Sequence, residues 1–332
     1  MSFPRITILD VLKARQTIAL YLQPTPLRHY HGLSQLLGAK VYIKHENHNP
    51  TGAFKVRGGV NFIANLSSEE RRRGVITASS GNHGQSIAFA ARLFGVRATI
   101  AMPENANPVK AEAIRNMGAE IIFHGRDFDD AREFAEAQAV RTGARFISSG
   151  NEPLLITGVG TYALEIVESL PEVEAIFVPV GGGSGASGCC IVAKTINPNI
   201  RVIGVQAEKA PSAYLSWKAG ERVEAKMETF AEGLATRAPF DLPQSIMREL
   251  LDDFILVSDD EMREAMRLLI EHTRHLPEAA GAASLAAALK LKASLNGKHV
   301  ALVMSGGNIT LSQLREILLG LSNFETVTAS VF

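Results

Sequence analysis

The chain has 332 residues, 46% of them hydrophobic, enough for one large core or two closely apposed ones. Lysine plus arginine and aspartate plus glutamate each number 34, so no net field recruits nucleic acid or an anionic membrane surface, and any bound anion has to be met by local geometry. The two cysteines are neighbours, Cys189 and Cys190, which suits neither an ordinary structural disulfide nor a four-ligand metal site; with no apolar run near the ~18 residues of a membrane span, a cytoplasmic protein is expected.

In chain order, the first strong signal is KHENHNPTGAFKVRGG (44–59), where Lys55 follows a Pro-Thr-Gly turn and opens a helical run, VRGGVNFIANL. From Gly74 to Ser148, β-like runs alternate with helical ones: GVITASS, GQSIAFAARLFG, ATIAMP, PVKAEAIRNMG, AEIIFHG, DDAREFAEAQAVRTG and ARFIS. Helix stops are expected at Gly95, Gly118 and Gly143. After a break near Gly150 the pattern resumes with helix TYALEIVESL, strand AIFVPV, a glycine run, helix ASGCCIVAKTI and strands RVIGVQA and FILVS. Ser258 and Glu261 form a capping box ahead of EMREAMRLLIEHTRH, followed by helix AAGAASLAAALKLKA and strand HVALVMS. This alternation predicts two α/β units with parallel sheets covered by helices. The expected division is discontinuous: residues 1–66 and 149–332 form a large unit and residues 67–148 a small one, with a shared cleft.

Four segments carry chemistry, three of them at strand ends and the fourth the turn before Lys55. Glycines in VPVGGGSGASG (178–188) lie between an apolar strand and an apolar helix, where bare amides and the helix N-terminus favour a phosphate. The loop lacks a Walker lysine, and no acid is placed for a ribose hydroxyl, so a nicotinamide-dependent oxidoreductase is the weaker reading. SSGNHG (79–84) opens a second helix with groups that can hold a carboxylate, and Ser80 or His83 can carry protons. MSGGN (304–308) closes the last strand, and Lys55 supplies an amine. Together these meet the needs of pyridoxal phosphate bound to an amino acid. Nine histidines include the pairs His29/His31 and His45/His48, but none shows zinc-site spacing, so no histidine-bound catalytic metal is expected.

PTGAFKVRGG, SSGNHGQ, GVGTYALEI, VPVGGGSG, PEAAGAA and SGGN, in this order, resemble the motifs of the fold type II pyridoxal-phosphate enzymes, specifically the serine/threonine dehydratase and serine racemase family. The resemblance runs from Thr25 to Asn308. It implies a tryptophan synthase β-like architecture, two open, mainly parallel twisted sheets flanked by helices with the active site between the domains. It also implies a homodimer or homotetramer acting on a small amino acid, with no nucleic-acid or membrane partner. By the same resemblance Lys55 carries the cofactor, Phe54, Asn82 and Glu278 adjoin it, Gly181, Gly182, Gly183, Ser184 and Gly185 receive its phosphate, and Ser305 pairs with the pyridine nitrogen. Ser79, Ser80, Asn82 and His83 surround the substrate carboxylate, and Lys55 and Ser80 are the acid/base residues. The implied reaction eliminates water from L-threonine, L-serine or a larger 3-hydroxy amino acid, giving a 2-oxo acid and ammonia. Amino acid racemisation and dehydration of 3-hydroxyaspartate or phenylserine are the alternatives.

Three departures stand out. Gln206, Ala210 and Ser212 occupy the positions where relatives of the racemase type hold a divalent cation with two carboxylates, so no metal is expected there unless Glu208 substitutes. The chain ends soon after its last helix, which leaves no room for a C-terminal regulatory domain. Ala53 replaces a serine usual in the family, and His45, Asn47, His48 and Asn49 make its surroundings unusually polar, an expected influence on substrate choice.

Overall fold

The protein is described here from a computed structural model covering residues 3–320. Its strands, in chain order, are β1 (Leu27–His29), β2 (Lys40–His45), β3 (Val75–Ala78), β4 (Ala98–Met102), β5 (Glu120–Phe123), β6 (Arg145–Phe146), β7 (Ala175–Pro179), β8 (Arg201–Ala207), β9 (Asp253–Val257) and β10 (His299–Met304). They form a six-stranded sheet in the order β1-β2-β10-β7-β8-β9 and a four-stranded sheet in the order β5-β4-β3-β6. Every pairing is parallel except β1 with β2. Strands β3 and β7 are buried at every position, as continuous apolar runs covered on both faces should be.

Helices cover the larger sheet on both sides. Ile176, Val178, Ala301 and Val303 pack with helices Pro153–Ser169 and Ser184–Ile196, while Phe177, Val300 and Leu302 pack with helices Asp259–Thr273 and Ala279–Lys290. In the last of these, residues 279–288 are all buried, and their small side chains allow close approach to the sheet. The expected capping box at Ser258 and Glu261 is present, and Gly95 and Gly143 end their helices in the left-handed conformation. Helix Lys55–Ala64 lies between the two units: Val56, Val60 and Ile63 join the core of the smaller sheet, while its glycine-bearing side meets helix Pro153–Ser169.

The sequence reading missed β1 and β2, and it began helix Pro153–Ser169 eight residues late, at Thr161. Proline at the first helical position, where no donor is needed, opens that helix, and the apolar residues after it are buried.

A buried knot of four charges sits beneath the Lys55 helix. Arg57 donates from Nε and Nη2 to both Glu46 oxygens (2.7 and 2.9 Å) and from Nη1 and Nη2 to both Glu165 oxygens (2.6 and 2.8 Å). Lys44 Nζ donates to Glu165 at 2.5 Å and to the Thr25 carbonyl at 2.6 Å. Lys44, Glu46 and Arg57 are fully buried, and the signs balance. Burial pulls the Arg57 guanidinium down, but Glu46 and Glu165 more than offset it and raise its pKa. Burial likewise opposes the Glu46 carboxylate, yet Arg57 and Lys44 hold it below the usual range.

Candidate active site

The segments that follow β2, β3, β7 and β10 meet at the carboxyl ends of their strands, where open α/β sheets place ligands. The turn before Lys55 is hydrogen-bonded to the end of β10. Phe54 N donates to the Ser305 carbonyl (3.0 Å), Gly307 N donates to the Gly52 carbonyl (2.9 Å), and Ala53 bridges Gly306. Ser86 Oγ donates to the Lys55 carbonyl at 2.6 Å. Backbone and helix start are therefore fixed before the amine is considered.

Lys55 Nζ lies 3.0 Å from Ser184 Oγ, to which it donates, and 5.3 Å from the centroid of the Phe54 ring. No carboxylate is recorded as its ion-pair partner among the described residues, and burial lowers its pKa from 10.5 to about 8. Lysine is the side chain whose pKa moves readily in this way, and a neutral amine is a nucleophile and a base.

Ser184 is the first residue of its helix, and Gly183 caps it with φ +88°, a conformation a Cβ would strain. The amides of residues 181–185 have no backbone acceptor among the described residues. They form an unfilled set of donors at a helix N-terminus, next to the Lys55 amine. Tyr162 Oη donates to the Gly185 carbonyl at 2.8 Å and stands edge-on to Phe54, which fixes the wall between loop and lysine.

In the smaller unit, Asn82 begins helix Asn82–Phe94 and reaches across the cleft. Its Nδ2 donates to Glu278 Oε1 at 2.7 Å, and its Oδ1 accepts from Asn308 Nδ2 at 2.7 Å. Asn308 Nδ2 also donates to the Thr51 carbonyl at 2.8 Å. Burial raises the Glu278 pKa, with the Asn82 hydrogen bond acting against it. Gly306 permits this arrangement, because a Cβ there would run into the Glu278 carboxylate. Ser79 Oγ accepts from Gly81 N at 3.2 Å and shapes the loop, while Ser80 stays half-buried beside it. His83 is buried with Nε2 3.0 Å from Thr77 Oγ1, whose own proton goes to the Ile147 carbonyl at 2.7 Å, so the imidazole is the donor. Burial and the neighbouring Lys55 bring its pKa down to about 3.

Residues 18–306 match the family model described as "Pyridoxal-phosphate dependent enzyme". The chain belongs to that family. This pyridoxal-phosphate enzyme is 43% identical over 315 residues to an L-threonine ammonia-lyase of Thermotoga maritima, covering 94% of this chain and 78% of the relative. It is 36% identical to an L-threo-3-hydroxyaspartate ammonia-lyase of Saccharomyces cerevisiae, covering 96% of this chain and 98% of the relative. Among solved structures, maize serine racemase superimposes with a TM-score of 0.90 at 34% identity, covering 95% of this chain and 97% of that one.

The residues present fit the cofactor. An amine of lowered pKa, a row of free amides at a helix N-terminus and the buried, uncharged Ser305 at the end of β10 are the donor set that an aldehyde, a phosphate and a pyridine nitrogen require. Asn308 and Tyr162 lie in motifs read from the sequence but had no role assigned, and Ser86 and Thr77 were not singled out; their partners Asn82, Gly185, Lys55 and Ile147 lie 23 to 226 residues away. At the former cation positions, Gln206 Oε1 accepts from Tyr214 N at 3.0 Å and Ser212 Oγ donates to the Thr236 carbonyl at 2.6 Å, with Ala210 buried between them in sequence. Glu208 points elsewhere, 3.4 Å from Lys290 Nζ.

Proposed function

We propose that this enzyme, a pyridoxal-phosphate dependent ammonia-lyase that eliminates water from a β-hydroxy amino acid, acts on L-threonine or L-serine, with Lys55 as its acid/base residue. The observation that carries the reading is the Lys55 amine at 3.0 Å from Ser184 Oγ, with its pKa near 8 and the free amides of residues 181–185 beside it. When bound, pyridoxal phosphate supplies an aldehyde that condenses with amines and a conjugated ring that accepts electron density.

In this reading Gly181, Gly182, Gly183, Ser184 and Gly185 bind the phosphate, Phe54 packs on the ring, and Ser305 meets the pyridine nitrogen as an uncharged partner. Ser79, Ser80 and Asn82 orient the substrate carboxylate, while neutral His83 braces their loop through Thr77. Neutral Lys55 takes the Cα proton, and the resulting ammonium can return a proton to the departing hydroxyl. Glu278 holds Asn82 in place. Gln206, Ala210 and Ser212 work without a cation, since Gln206 already has a backbone partner.

The yeast relative's substrate keeps 3-hydroxyaspartate open as an alternative. The half-buried Ser80 leaves racemisation open, because a second acid/base on the opposite face is what inversion needs. Residues 67–148 are proposed as the small domain against 1–66 and 149–332, and the enzyme as a cytoplasmic homodimer or homotetramer. None of the described helices is long and apolar enough to cross a membrane.

Borohydride reduction followed by peptide mapping should place a pyridoxyl group on Lys55, and Lys55→Ala should abolish turnover. A panel of L-threonine, L-serine and 3-hydroxyaspartate scored for ammonia, 2-oxo acid and D-amino acid fixes the substrate. A D-product without ammonia would overturn the dehydratase reading.

A further inference from the structure

Three imidazoles far apart in sequence meet beside the active site. His45 is the last residue of β2, His48 ends the 3-10 turn Glu46–His48, and His275 lies in the loop that leads to Glu278. Their ring centroids form a nearly equilateral triangle, with sides of 4.5, 4.7 and 5.0 Å. One nitrogen from each lies within 4.8 Å of the other two, and His48 Nε2 is 3.2 Å from His275 Nδ1.

Ring packing alone does not account for His45. Its side chain is fully buried and Nε2 sits 2.8 Å from the Tyr30 hydroxyl, while Nδ1 and the nearby Asn47 Oδ1, the neutral group on its open side, both lack a hydrogen bond of normal geometry. A buried polar atom without a partner costs roughly 1–3 kcal/mol. If Nε2–H donates to Tyr30, Nδ1 presents a bare lone pair, which is how second-shell hydrogen bonds prepare histidine ligands.

We propose that His45 Nδ1, His48 and His275 bind one divalent transition-metal cation of the zinc class, with the open coordination position turned to solvent. Zinc–nitrogen bonds of about 2.1 Å at tetrahedral angles put ligand nitrogens about 3.4 Å apart, close to the His48–His275 spacing. His48 is exposed and His275 half-buried, so rotation of these rings can close the remaining distance without disturbing the core. An all-imidazole set selects zinc, cobalt, nickel or copper over magnesium and calcium, which take oxygen ligands. Glu46, the nearest acid in sequence, is fully engaged by Arg57. The exposed Arg28 is the positive charge that opposes a cation here. A bound ion would tie the end of β2, ten residues before Lys55, to the loop carrying Glu278.

The test uses untagged holoenzyme, treated with chelator and desalted, then titrated with cobalt(II) and zinc(II). The expected result is one equivalent of cobalt per chain with the visible absorption of a four-coordinate site, displaced by zinc, and a higher melting temperature with zinc. His48→Ala and His275→Ala should each abolish this binding while the pyridoxyl adduct on Lys55 still forms, and His299→Ala should leave it unchanged. Tyr30→Phe should weaken affinity about 10- to 100-fold. Sub-stoichiometric binding, or binding that survives His48→Ala together with His275→Ala, would overturn the proposal. Because the readouts are metal content, absorption and melting, failure here is distinct from failure of the dehydratase reading.

Discussion

Lys55 owes its chemistry to burial, with no carboxylate paired to it among the described residues. Its pKa is shifted from 10.5 to about 8 by burial, so a growing share of the amine is neutral as pH rises toward 8. The rate at which apoenzyme recovers pyridoxal phosphate should rise about tenfold per pH unit below 8 and level off above it. Stopped-flow absorbance would show this, and a profile still rising steeply at pH 10 would contradict the burial argument. Arg57 makes the opposite case. Removing it leaves Lys44 alone against the two carboxylates of Glu46 and Glu165, a net buried negative charge, so Arg57→Leu should cost about 3–5 kcal/mol in denaturant unfolding. The folded pKa of Glu46 is depressed below 4.5, so its contribution is fully present above that value and is lost as pH falls through the lower, folded one. Arg57→Leu should therefore flatten the acid limb of the stability curve.

At the level of elements, the ends of β3, β7 and β10 were readable because each closes an apolar β run with a turn motif. Gly183 is one such joint. Gly183→Ala places a Cβ at φ +88° and should destabilise the loop by about 1–2 kcal/mol, seen as faster cofactor loss on dilution. Strands β1 and β2 escaped detection because β1 has only three residues and β2 carries Lys44 and His45 on buried positions. Lys44 Nζ and His45 Nε2 find Glu165 and Tyr30, partners 121 and 15 residues away. The same limit applies to the histidines. His45 and His48 look like a lone pair in sequence, and the third ring arrives from 227 residues beyond His48. Periodicity reports which face of an element is apolar; it carries no information about which distant polar groups will meet.

Across the whole molecule, the two sheets with their covering helices contact each other in two different ways. On the side of helix Lys55–Ala64 the contact is apolar, through Val56, Val60 and Ile63. At the opposite side it is polar: Lys110 pairs with Glu232, Arg237 with Asp129 at 2.5 Å, and Asn82 with Glu278 and Asn308. Water can replace the bonds lost on the polar side, so opening is expected there, with the apolar contact as the hinge. Lys110→Ala and Arg237→Ala should each raise KM a few-fold with little change in kcat, in line with the roughly 0.2–1 kcal/mol of exposed ion pairs, and raised salt should mimic them. Steady-state kinetics at two ionic strengths checks this; a fall in kcat at constant KM would argue against a hinge.

The charge knot also sets the rotational phase of the catalytic helix. Successive residues turn by 100°, so Lys55 and Arg57 point about 200° apart, and anchoring one side chain downward aims the other into the cleft. The address of the amine is thus written as a count of residues as well as a residue type. Inserting one alanine between Val56 and Arg57 should keep the knot and the lysine, yet swing the amine by about 100° away from Ser184 and leave a folded protein without activity.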